Sequence, residues 1–166
     1  MINGLSDLKL KDPKGRFCVS IDSKQIAELL HFCAKAEEHE TGGILLGYYN
    51  EKLDLATVVR VVDAPSDSQH GLAWFHRGIV GLQTLILKLW SERRQYYLGE
   101  WHYHPYGSPE ASNTDTKQMK EIASSRSYKC PEPILLIVAG NVETSWSIQV
   151  MVFPKNEEYP VKLYET

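Results

Sequence analysis

The sequence predicts an α/β fold of the α+β type, a single domain whose helices flank a curved, mainly antiparallel sheet. Three observations point there. Strand-length runs rich in β-branched residues recur, most clearly Leu55–Val62 with Thr57, Val58, Val59, Val61 and Val62. Other segments place apolar residues at helical spacing, as Ile26, Leu29, Leu30 and Cys33 do. The length, 166 residues of which 43% are hydrophobic, suits one core better than two and needs no disulfide help.

In chain order, Asp12-Pro13-Lys14-Gly15 is a turn signal that sets off a polar N-terminal tail, residues 1–15. Phe17–Ile21 alternates apolar and polar residues, as a short strand does. Ser23 caps a helix that runs to about Glu38. Its end, Glu37-Glu38-His39-Glu40, is followed by Thr41-Gly42-Gly43. Ile44–Tyr49 reads as a buried strand, with Leu55–Val62 as its neighbour. Ala64–Leu72 is a loop rich in Ser, Asp, Gln and His. A second helix spans Gly78 to about Arg94, with Leu82, Leu85, Ile86 and Leu89 on its apolar face. Tyr96–Tyr103 is a third sheet strand, Pro105–Ala111 a loop, and Ser112 opens a third helix to about Ser125. Pro131 and Pro133 precede an apolar strand, Ile134–Val138. A turn at Gly140-Asn141 leads to an alternating strand, Trp146–Phe153. The domain proper is therefore 16–154. The C-terminal tail, 155–166, is available to pack on it as an edge strand or a docking segment.

Charge and cysteines exclude several classes. The net charge is −3, whereas a duplex-binding domain is usually basic, so no nucleic-acid partner is expected. Cys18, Cys33 and Cys130 are odd in number, widely spaced and without a CxxC pair. They form neither a disulfide framework nor a thiolate zinc knuckle, and fit reduced thiols in a cytosol. Met1–Lys14 lacks the apolar stretch of a signal peptide, and no run reaches membrane-spanning length. The expectation is a soluble, cytoplasmic protein without a membrane partner.

The chemistry concentrates in Glu100-Trp101-His102-Tyr103-His104-Pro105 and Ser112-Asn113-Thr114-Asp115. Residues two apart on a strand face the same side, so His102 and His104 can present two imidazoles to one point. A loop through Gly107 and Pro109 turns the chain back, and a helix opening at Ser112 can deliver the Asp115 carboxylate there. Two His and one Asp leave a fourth tetrahedral position for water, the layout of a catalytic zinc site. Each piece also has a plainer reading. An HxH pair alone is more often incidental, and Ser112 with Asp115 fits a capping box. Glu40 alone reads as a solvated helix end, although an acid at a helix C-terminus is electrostatically unfavourable. His31, His39, His70 and His76 read as surface or loop residues. Trp74, Phe75, Trp101 and Trp146 read as core or groove lining, and Arg93-Arg94 as a solvated helix end.

The conjunction of HxH, seven residues, then SxxD resembles the JAMM motif of the JAB/MPN metalloprotease family. Trp101 and Pro105 flank the histidines as they do there, and Glu40-Thr41-Gly42-Gly43-Ile44-Leu45-Leu46-Gly47 matches the family's upstream glutamate and glycine-rich strand. The resemblance covers roughly Ile26 to Phe153. It implies a JAB/MPN-like (cytidine deaminase-like) domain and one Zn2+ per chain held by His102, His104 and Asp115. It further implies Glu40 as the general base and Ser112 as a hydroxyl that stabilises the oxyanion. Such enzymes hydrolyse the isopeptide or peptide bond after the C-terminus of a ubiquitin-like or ubiquitin-like-conjugated protein. The compact form is most similar to the bacterial deconjugating proteases of type II CBASS antiphage operons. The implied partner is then a protein substrate with an extended C-terminal tail, a nucleotidyltransferase or its ubiquitin-activating or -conjugating-like partner. A cyclic-oligonucleotide synthase would be released from such a conjugate in antiphage defence. Ser124–Glu132 is short and holds only Cys130, so the second zinc of eukaryotic chain-selective members is not expected. Two alternatives stay open: a small-molecule or sulfur-carrier-processing metallohydrolase, and a non-catalytic MPN scaffold.

Overall fold

The computed structural model describes residues 5–166; residues 1–4 of the expected N-terminal tail lie outside the described residues. Its strands are β1 (Leu8–Lys11), β2 (Cys18–Ile21), β3 (Thr41–Tyr49), β4 (Leu55–Val62), β5 (Gln69–His70), β6 (Phe75–His76), β7 (Tyr96–His104), β8 (Ile134–Asn141), β9 (Ser145–Val152) and β10 (Val161–Glu165). The helices are α1 (Ser23–Ala36), α2 (Leu82–Arg93) and α3 (Asn113–Ser124). Eight strands close into one barrel in the order β1-β10-β9-β8-β7-β3-β4-β2, while β5 and β6 form a separate two-stranded ribbon. Only β2–β4 and β7–β8 pair in parallel; every other pairing is antiparallel. The segments expected as tails both carry barrel strands. These strands pair with each other, Leu10 opposite Glu165.

Side-chain alternation divides the core. On β8, Ile134, Leu136 and Val138 join a cluster to which all eight barrel strands contribute, and α1 seats Ile26, Leu29, Leu30 and Cys33 in it. Leu135 and Ile137 point the other way, to Leu82 and Leu89 of α2 and Met119 and Ile122 of α3. A strand buried on both faces has no polar alternation to keep, which is why β8 reads as one apolar run.

Several ends differ from the expectation, each for a local reason. The N-cap of α1 is Asp22, whose carboxylate accepts the Gln25 N–H at 2.8 Å. That helix stops at Ala36, because Glu37 takes φ 55. Glu40 therefore lies beyond the helix, immediately before β3. The second helix starts at Leu82 rather than Gly78. The Asp67 carboxylate takes the N–H groups of Ile79 and Val80, each at 3.0 Å, and Gly81 turns the chain at φ 78. The loop expected over Ala64–Leu72 contains β5. β8 runs through the expected Gly140-Asn141 turn, so the chain reverses between Asn141 and Ser145.

Candidate metal centre

Two glycines set the frame of the site. β7 carries an extra residue opposite β3: Leu45 pairs with Gly99, Leu46 with Tyr97, and Leu98 is left over. Gly99 adopts φ 154, and a Cβ there would run into the Ile134 carbonyl oxygen. This bulge changes the phase of the strand. Leu98 and Trp101, three apart, both enter the inner core, and Tyr97 and Glu100 share the opposite side, where the Tyr97 hydroxyl donates to the Glu100 carboxylate. Glu100, His102 and His104 then alternate along that side towards α3. Gly42 sits opposite His102, and a Cβ there would lie 2.9 Å from His102 Cδ2 and 2.8 Å from Phe75 Cε1. Thr41 is opposite Tyr103, so the same register carried one residue further sets Glu40 against His104.

α3 supplies the carboxylate. Ser112 is its N-cap and Asp115 its third residue, and the capping box is made in both directions. Asp115 Oδ2 accepts from the Ser112 N–H at 2.8 Å and the Ser112 hydroxyl at 2.7 Å, while Ser112 Oγ accepts the Asp115 N–H at 3.1 Å. Asp115 Oδ1 lies 2.7 Å from His102 Nδ1, and Oδ2 lies 3.6 Å from His104 Nε2. The capping and ligand readings of this aspartate are thus compatible in one rotamer.

The ligand atoms offered by His102, His104 and Asp115 all fall within 4.8 Å of one another. No other such group of three occurs among the described residues. His102 and Asp115 are buried, with His104 at the mouth. His104 Nδ1–H donates to the Ser108 carbonyl at 3.1 Å, which leaves the Nε2 lone pair free on the Asp115 side. His102 Nε2 is buried without a hydrogen-bond partner, a costly arrangement unless something else takes its lone pair. This cluster could hold a divalent metal ion.

The electrostatics separate the two carboxylates. Burial works against ionised Asp115, but the His102 hydrogen bond, the charge His102 carries when protonated, and the Ser112 hydrogen bonds outweigh it and hold its pKa down to about 2. Glu40 moves upward: partial burial raises its pKa and the Asp115 charge adds to that, against the pull of His104 and His102. An ionised carboxylate suited to ligation therefore stands beside one that binds a proton more readily.

Three residues at the site were not singled out from the sequence as functional. His70 Nδ1–H donates to the Glu40 carbonyl at 3.0 Å, and the Glu40 N–H donates to the Gly71 carbonyl at 2.9 Å. Phe75 sets its edge on the His102 ring at 5.8 Å between centroids. Arg77 Nε donates to the fully buried Glu100 carboxylate at 2.6 Å, and its Nη2 donates to the Tyr128 hydroxyl at 2.7 Å. The remaining expectations are plainer: His31, His39 and His76 are exposed, and Trp101 is wholly buried with its Nε1–H on the Val62 carbonyl.

Residues 22–149 match the family of prokaryotic homologs of the JAB domain. A CD-NTase/cGAS isopeptidase of Enterobacter hormaechei is 37% identical over 161 residues, covering 97% of this chain and 88% of that protein. A second CD-NTase/cGAS isopeptidase, from Pseudomonas aeruginosa, is 30% identical over 66% of this chain and 68% of its own length. A probable metalloprotease, y4qB, of Sinorhizobium fredii is 26% identical over 74% of this chain and 76% of its own. The solution structure of protein DSY2949 from Desulfitobacterium hafniense superposes with a TM-score of 0.60 at 19% identity, covering 89% of each chain, and shares the fold.

Proposed function

The chain belongs to the prokaryotic homologs of the JAB domain, and from that premise we propose that it is a zinc-dependent isopeptidase that cuts the amide bond after a protein C-terminus. The observation that carries the reading is the meeting of His102, His104 and Asp115 within 4.8 Å, two imidazoles and a carboxylate from separate elements, with Glu40 near enough to feel the charge of each. Two nitrogens and one carboxylate oxygen are a donor set that catalytic zinc takes, and the unpartnered His102 Nε2 supports it.

Zinc, when bound, supplies a Lewis acid that polarises the scissile carbonyl and makes water more acidic. The rest falls to the chain. Glu40 accepts a proton from the attacking water and returns it to the leaving amine nitrogen. The Ser112 hydroxyl donates to the oxyanion of the tetrahedral intermediate. To do so it turns its one proton away from Asp115 Oδ2, which the Ser112 N–H continues to hold. The Ser108 carbonyl keeps His104 in one tautomer throughout.

The names of the relatives support a CD-NTase, a nucleotidyltransferase, as the protein substrate. The proposal adds that it is joined through its C-terminus and that the enzyme reverses that conjugation in cytoplasmic antiphage defence. An extended tail binding by strand addition would need a free strand edge. The barrel strands are paired on both sides over only part of their length: 59–62 of β4 and 145–149 of β9 each lack a partner on one side, as do the outer edges of the β5–β6 ribbon.

The test is a cleavage assay on a fusion to a nucleotidyltransferase C-terminus, with metal analysis alongside. Purified protein should carry one zinc per chain and lose cleavage on chelation. Asp115→Ala should lose zinc and cleavage together. Glu40→Gln should keep zinc and cleave at least about a hundredfold more slowly. A parent without bindable zinc, or a Glu40→Gln variant as fast as the parent, would overturn the assignment.

A further inference from the structure

The β5–β6 ribbon touches both halves of the proposed machinery. At one point the His70 Nδ1–H holds the Glu40 carbonyl at 3.0 Å, while the Gly71 carbonyl receives the Glu40 N–H at 2.9 Å. Both backbone polar groups of the residue assigned as base are thus taken by two successive residues of the ribbon. Across the ribbon, His70 pairs with Phe75, ring centroids 5.1 Å apart, and Phe75 rests its edge on His102. Gly42 leaves the space in which Phe75 and His102 meet. The ribbon is itself fixed. Ser68 Oγ accepts the Gly78 N–H at 2.9 Å, Gly71 N–H donates to the Trp74 carbonyl at 2.8 Å, and Arg77 anchors its far end to Glu100.

We propose that His70 is a positioning residue: its imidazole fixes the backbone of Glu40, and through it the direction of the Glu40 carboxylate relative to the attacking water. Glu40 needs such a fixture. It follows the irregular turn that starts at Glu37, φ 55, and precedes the first residue of β3, so neither α1 nor the barrel ladder holds its peptide groups. Misplacing a base by about 1 Å can cost on the order of a hundredfold in rate. The donor is one nitrogen at one place, Nδ1. An asparagine amide nitrogen occupies nearly the same place relative to the backbone, whereas a glutamine amide reaches towards the Nε2 position instead.

The inference rests on the cleavage reaction proposed above, so its test has one arm with substrate and one without. In the assay with zinc-loaded enzyme, His70→Ala should lower kcat about tenfold and leave KM within twofold. His70→Gln should behave like His70→Ala, and His70→Asn should recover most of the parent rate. Zinc stoichiometry and affinity should not change in any of the three. Combined with Glu40→Gln, His70→Ala should slow residual cleavage no further, because it acts through that side chain. In the arm without substrate, amide exchange read by NMR should speed up at Glu40 in His70→Ala and return towards the parent rate in His70→Asn. Parent exchange at Glu40 in His70→Ala overturns the inference whatever the enzyme cleaves. So does a cleaving parent whose His70→Ala variant is equally fast, or one in which His70→Asn is as slow as His70→Ala. A parent that cleaves nothing, with the exchange pattern as expected, counts against the reaction and not against the fixture.

Discussion

The two oxygens of Asp115 serve different neighbours, His102 on one side and the Ser112 N–H and hydroxyl on the other. These contacts favour the ionised form strongly enough to overcome burial and bring its pKa to about 2. A carboxyl whose folded-state pKa lies below its unfolded value, near 4, stabilises the fold above the unfolded value. That contribution is lost as pH falls through the folded one. For Asp115 in metal-free protein it is of the order of 2 kcal/mol. The difference in urea unfolding free energy between the chelated parent and Asp115→Asn should be near that figure at neutral pH and close between about pH 4 and pH 2. A difference that stays constant over that window would mean that His102 and Ser112 do not hold the carboxylate ionised. The convergence of His102, His104 and Asp115 was legible because local rules encode it: period two on a strand places the histidines together, and SxxD places a carboxylate at a helix start. His70 and Arg77 were not legible. Their partners Glu40 and Glu100 lie 30 and 23 residues away, and neither ribbon strand exceeds two residues, too short to show a period.

The start of α3 is where element and chemistry meet, because Ser112 both ends a loop and faces the site through Asp115. Replacing it with alanine removes the cap acceptor for the Asp115 N–H and should cost about 1 kcal/mol in thermal or urea unfolding. If its hydroxyl also serves the oxyanion, the same change should slow cleavage by about a hundredfold. Ser112→Gly separates the two roles: glycine at an N-cap costs only about a few tenths of a kcal/mol and should restore most of the stability, but it has no hydroxyl to donate and should not restore rate. Parent-like cleavage by Ser112→Ala would leave the serine as a cap alone. The beginning of this helix matched its sequence signal because capping is a three-residue affair. The ends of α1 and the beginning of α2 did not, because a positive φ at Glu37 and an acceptor at Asp67 more than ten residues upstream decide them. The β7 bulge was equally hidden. Glycine at position 99 reads as an ordinary strand residue until the Ile134 carbonyl is set against it, yet the bulge decides which face His102 and His104 share.

Closure of the barrel joins the two segments expected as tails. β10 bonds to β1 and β9, and β1 bonds in turn to β2, so the barrel closes and open edge is confined to the stretches that its shorter strands do not reach, 145–149 of β9 and 59–62 of β4. Composition could not reveal this, since β1 is only Leu-Lys-Leu-Lys and β10 only Val-Lys-Leu-Tyr-Glu, and each offers the core one buried residue, Leu10 from β1 and Leu163 from β10. Leu163 is 1% exposed in the inner cluster, whereas His102 and Asp115 meet on the other side of β7. β9 and β8 stand between β10 and β7 in the barrel order. The two regions should then separate experimentally. Leu163→Ala should lower urea unfolding stability by about 3 kcal/mol, the usual cost of a cavity at a fully buried leucine. Well below its unfolding temperature it should still bind zinc with parent affinity and cleave at the parent rate. A variant whose zinc affinity falls in step with its stability would instead show that the metal face feels the closing strands, and that the barrel transmits strain around its circumference.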